Sequence, residues 1–87
     1  MTQLNAIIID DEELNCLNLQ EMLQRYCPEV AILGYAQSTA AGLELIKTAK
    51  PNLVFLDIEM PSGTGFDLLQ MTDKQDFDVV FVTAYDQ

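Results

Sequence analysis

Histidine is absent from this 87-residue sequence and basic residues are scarce: four Lys and Arg stand against fourteen Asp and Glu, a formal net charge of −10. Too few cations remain to neutralise a phosphate backbone, which argues against nucleic-acid contact by this segment and equally against docking on an anionic membrane. Without His, and with Cys16 and Cys27 as the two cysteines, a zinc site is improbable. On a single helix those two thiols would stand roughly 16 Å apart, well beyond the Cα separation of about 7 Å that a disulfide bridges. They are expected to be small buried thiols in a reducing compartment. No apolar run approaches the roughly 20 residues of a membrane span; Ala6-Ile7-Ile8-Ile9 and Leu53-Val54-Phe55-Leu56 are strand-sized. The start, Met-Thr-Gln-Leu-Asn, lacks the basic region and long apolar stretch of a signal peptide, so a cytoplasmic location is expected. Internal repeats, linkers and low-complexity segments are missing too.

What is present is apolar content, 49% of residues, enough for a packed core in one small domain. The patterning alternates between two types. Ala6-Ile7-Ile8-Ile9 reads as a strand buried on both faces and stops at Asp10-Asp11. Over residues 12–26 the spacing turns helical, with Cys16, Leu19, Leu23 and Tyr26 on one stripe and Leu14, Leu17 and Met22 widening it. Acids at its start and Arg25 near its end suit the helix dipole, and Pro28 stops it. Residues 31–36 form a second strand weakened by Gly34. Ser38 or Thr39 caps a helix running to about residue 50, with Leu43 and Ile46 inward, although Gly42 costs about 1 kcal/mol relative to Ala. After Pro51-Asn52 comes the third strand, Leu53-Val54-Phe55-Leu56, ending at Asp57. Pro61-Ser62-Gly63 is a turn, Phe66 and Leu69 begin a third helix, and Val79-Val80-Phe81-Val82 is a fourth strand closed by Thr83-Ala84. The order βαβαβαβ predicts an α/β fold, a doubly wound parallel sheet with right-handed crossovers.

In such sheets the functional crevice lies at the carboxyl ends of the strands. There stand Asp10-Asp11 after the first strand, Asp57 after the third and Thr83 after the fourth. Three converging carboxylates repel unless a cation sits among them, and a few hard oxygens point to Mg²⁺ retaining several waters. A carboxylate beside Mg²⁺ is a nucleophile for phosphorus, giving an acyl phosphate, and the Thr83 hydroxyl can donate to a phosphoryl oxygen. Each residue has a plainer reading. Asp11 could simply cap the first helix, and Thr83 could be an ordinary β-branched strand residue. Ser62-Gly63-Thr64-Gly65 lacks the P-loop spacing and its Lys, and reads as a turn. Met60 and Met71 read as packing residues.

These residues resemble the response-regulator receiver family: Ile8-Ile9-Asp10-Asp11-Glu12, Leu53-Val54-Phe55-Leu56-Asp57-Ile58-Glu59-Met60-Pro61, Gly65 with Leu68, and Val82-Thr83-Ala84. The likeness covers essentially the whole chain, and the ending Thr83-Ala84-Tyr85-Asp86 resembles receivers that precede LytTR-type DNA-binding domains. It implies a CheY-like sheet order of 2-1-3-4(-5) and a receiver domain over residues 1–87, incomplete at its C-terminus. It also implies Asp57 as the acceptor of a phosphoryl group from a sensor histidine kinase. Asp10, Asp11 (the more direct ligand), Asp57 and the backbone carbonyl of Glu59 would hold Mg²⁺. Thr83 would be the switch hydroxyl, and Pro61 and Gly65 would shape the loop. A domain of this type is not a classical enzyme. It controls an output domain, transcriptional by the LytTR likeness.

The family's fifth strand, with its Lys and aromatic residue, has no counterpart here. Arg25, Lys47, Lys50 and Lys74 fall near helix ends, at the rim opposite the acids. The fourth strand is expected to be an apolar edge through which the chain pairs with a second copy. Three rivals share part of the pattern. A Toprim-like Mg²⁺ enzyme acting on nucleic acid would place Asp57-Ile58-Glu59 similarly, but the charge opposes it. A haloacid-dehalogenase-like phosphatase would want Asp-x-Asp where Asp10-Asp11 are adjacent. A dimerisation module with vestigial acids would need none of the chemistry.

Overall fold

The computed structural model describes residues 4–60, 63–64, 70 and 77–82. Its elements are β1 (Leu4–Ile9), α1 (Glu13–Tyr26), β2 (Val30–Ala36), α2 (Thr39–Ala49), β3 (Leu53–Asp57), the two-residue strands β4 (Glu59–Met60) and β5 (Gly63–Thr64), and β6 (Asp78–Val82). Four strands form one sheet in the order β2-β1-β3-β6, with every neighbouring pair parallel. This is the expected doubly wound order. The expected third helix falls almost entirely outside the described residues; of it, Gln70 is described and is helical.

The continuous apolar runs follow from cover on both faces. On one face Ala6, Ile8 and Phe55 pack with Cys16, Leu19 and Leu23 of α1. On the other, Ile7, Ile9, Val54 and Leu56 pack with Leu43, Leu45, Ile46 and Ala49 of α2. Successive strand residues point to opposite faces, so β1 and β3 feed both layers and cannot alternate apolar with polar.

Two expectations are corrected at the level of packing. The apolar stripe of α1 is narrower than its sequence: Leu14, Leu17, Met22 and Tyr26 are exposed. At about 100° per residue Leu14 lies roughly 160° round the helix from Cys16, and Leu17 and Met22 roughly 100° or more. One flat sheet cannot reach them, and Tyr26 ends the helix. Cys27 is half-buried and not a core thiol, although both cysteines are free as expected. Pro61 and Ser62 of the expected turn lie outside the described residues; on either side of them β4 pairs antiparallel with β5 through Glu59↔Thr64 and Met60↔Gly63.

Strand β2 begins at Val30 and carries an irregularity: Ala6 pairs with Ile32 but Ile7 with Gly34, leaving Leu33 as an extra residue, and Leu33 is exposed. Bulges favour edge strands, where one partner is missing. Helix α2 is capped by Ser38, whose side chain accepts from the Ala41 N–H at 3.1 Å. It closes on Lys50 at φ 50°, ψ 61°, whose N–H donates to the Ile46 carbonyl. Among the described residues no helix is long and apolar enough to cross a membrane. Strand β6 is one edge of the described sheet, with Val80 and Phe81 partly exposed on its two faces.

Candidate metal and phosphoryl-acceptor site

The strand register builds this site. Ile9 pairs with Leu56 in the parallel β1–β3 ladder, so the next residue along each strand, Asp10 and Asp57, arrives at the same level of the carboxyl edge. Asp11 follows directly. The three side chains each bring an oxygen within 4.8 Å of the others. Asp10 and Asp57 are buried, at 5% and 8% exposure, and Asp11 is half-buried.

Asp10 is held from several sides. Its N–H donates to the Ala36 carbonyl at 3.0 Å, and its Oδ1 accepts from the Glu12 N–H at 3.0 Å and from Asn15 Nδ2 at 3.4 Å. The Cys16 thiol donates to its backbone carbonyl at 3.7 Å. Asp10 therefore satisfies an N–H at the mouth of α1. The N-cap position belongs to Glu12, which makes no side-chain cap bond; Asp11, considered for that role, stands one residue before it. Burial, followed by the charge of Asp10, pushes the Cys16 thiol from 9.0 up to about 11, so it remains a neutral packing group.

Two unit charges 4 Å apart repel by about 4 kcal/mol at an effective dielectric of 20, so three carboxylates gathered here call for a counter-charge. The donor set is all hard oxygen and fits a small divalent cation such as Mg²⁺. Asn15 and Tyr35 are contributors that sequence reasoning missed. Asn15 stands on the first turn of α1, a position from which it can reach back. Tyr35 donates its hydroxyl to Glu13 Oε2 at 2.9 Å, a contact with no local sequence signal. Asp57 is followed by β4 and not directly by a helix. Glu59 is described in its backbone, in β4. Thr83, Pro61 and Gly65 lie outside the described residues.

The family profile of the response regulator receiver domain matches residues 6–87. The chain belongs to that family. Receiver domains of response regulators are signalling modules of two-component systems and not classical enzymes. This receiver is 46% identical over 85 residues to a response regulatory protein of Vibrio parahaemolyticus, covering 97% of the chain and 35% of the relative. It is 36% identical to the sensory transduction protein LytT of Bacillus cereus, with coverages of 97% and 35%. The receiver thus spans about a third of the length of these relatives. Among solved structures, the signal receiver domain of the response regulator NarL from Mycobacterium tuberculosis superposes with a TM-score of 0.84 at 26% identity, covering 100% of this chain and 71% of that one.

Proposed function

We propose that this receiver takes a phosphoryl group on Asp57 from the phosphohistidine of a sensor kinase and thereby switches an output domain. The observation that carries the reading is the meeting of Asp10, Asp11 and Asp57 at the ends of two paired strands. An Asp57 carboxylate oxygen attacks phosphorus; the donor's N–P bond breaks, and its electron pair stays on the imidazole, which takes up a proton. Asp10, Asp11 and Asp57, with the Glu59 carbonyl, would hold Mg²⁺. A bound Mg²⁺ supplies positive charge to the transferring phosphoryl oxygens. Asn15 and the Glu12 N–H keep Asp10 in place while this occurs. By the Val82-Thr83-Ala84 motif, Thr83 offers the hydroxyl that favours the phosphorylated arrangement. A transcriptional output of LytTR type, a cytoplasmic setting and a homodimeric active form belong to the same reading, which the receiver-family match supports at the level of two-component signalling. The Toprim-like, dehalogenase-like and vestigial readings gain no support from the relatives.

The test is intact mass after incubation with acetyl phosphate and Mg²⁺. One added phosphoryl group, absent in Asp57→Asn, is expected; an unmodified wild type overturns the reading. In parallel, melting should move upward in millimolar Mg²⁺ relative to chelator, because an ion bound by the folded state stabilises it by linkage. Asp11→Ala should lose most of that shift. Equal melting temperatures for the wild type in the two buffers would reject the metal site.

A further inference from the structure

Glu13 is the first residue of α1 and follows Asp11 by two positions, yet it is not among the carboxylates that cluster within 4.8 Å. Its side chain turns instead to β2, where the Tyr35 hydroxyl donates to Oε2 at 2.9 Å. Tyr35 pairs with Ile8 in the β1–β2 ladder and immediately precedes Ala36, whose carbonyl accepts the Asp10 N–H at 3.0 Å. One short stretch of β2 therefore fastens both the backbone of the acid loop and a carboxylate two residues beyond Asp11. The acceptor is a carboxyl oxygen, and the separation is that of a well-formed hydrogen bond. In the same contact Glu13 lifts the Tyr35 phenol above its ordinary value of 10.0, so the hydroxyl keeps its proton at neutral pH.

We propose that Tyr35 sets the cation selectivity of the acid cluster by holding Glu13, a fourth carboxylate, outside it. The inference rests on the metal site proposed above. Mg²⁺ is small, octahedral and reluctant to shed water, and is served by one or two carboxylates with water; Ca²⁺ takes six to eight oxygens in a pliable shell and gains from each additional one. A cluster limited to three aspartates suits the first ion. A glutamate released beside it, free to turn about its side-chain torsions, would favour the second. Tyr35 acts through Glu13 and is a positioning residue.

The test is calorimetric titration of the protein with MgCl₂ and with CaCl₂, with thermal melts in chelator alongside. Y35F should bind Ca²⁺ about threefold or more tighter, with a smaller change for Mg²⁺, so that the Mg²⁺ to Ca²⁺ preference falls. Y35F/E13Q should return to the wild-type preference, and E13Q alone should keep it, because an uncharged side chain adds no fourth carboxylate. A contact that only fastens α1 to β2 would lower the melting temperature and leave the preference unmoved. An unchanged or increased preference in Y35F overturns the proposal, as does a change that E13Q fails to reverse, or a shift in E13Q by itself. A wild type that binds neither ion overturns the metal site as well, a result distinct from a binding site whose preference ignores Tyr35.

Discussion

Cys16 is fully buried with its sulfur on the Asp10 carbonyl, and its ionisation links the core to the alkaline limit of stability. Its folded pKa, about 11, lies above the ordinary 9.0. Below pH 9 the thiol is neutral in both states and its contribution is fully present. Between about pH 9 and pH 11 the unfolded chain loses this proton and the folded chain keeps it, so stability falls as pH rises through that window. In chelator, denaturant titrations across the window should show a steeper loss for wild type than for Cys16→Ala; parallel slopes would contradict the assignment. At about pH 8 iodoacetamide, which reacts with thiolate, should label the half-buried Cys27 well before Cys16.

At the scale of elements, α2 depends on its two ends. Ser38 supplies a side-chain acceptor to Ala41 N–H, and Ser38→Ala should cost about 1 kcal/mol. Lys50 occupies the left-handed region at φ 50°, where a Cβ is disfavoured by roughly 1 kcal/mol. Lys50→Gly should therefore stabilise, by up to about 1 kcal/mol. Urea unfolding of both variants checks the signs, and destabilisation by Lys50→Gly would show that its side chain contributes more than its backbone costs. The strands were legible in sequence because burial on both faces writes itself as unbroken apolar runs, and the acids were legible because each ends such a run. The inner limit of the α1 stripe was not: Leu14, Leu17 and Met22 are apolar without being covered, and periodicity records hydrophobicity, not what lies opposite. The extra residue at Leu33 and the Tyr35–Glu13 contact depend on how β2 slides along β1, which no local pattern sets. Thr83 rests on its motif alone.

At the scale of the whole molecule, the sheet order places β1 and β3 inside and β2 at an edge. Amide hydrogen exchange turns that order into a clock. Interior strands open only with global unfolding, while edge segments open locally at lower free energy. The amides of Ile7, Ile8, Val54 and Phe55 should be the slowest to exchange, and those around the irregularity at Leu33 faster; equal protection across β1 and β2 would refute the gradient. Asp10 and Asp57 are thus mounted on the last part of the protein to let go, whereas the Tyr35 latch hangs on a strand that lets go sooner. A brief opening of that edge would free Glu13 and the Asp10 N–H together, while the β1–β3 ladder kept Asp10 and Asp57 level, so the acid cluster could change its electrostatic company without losing its frame.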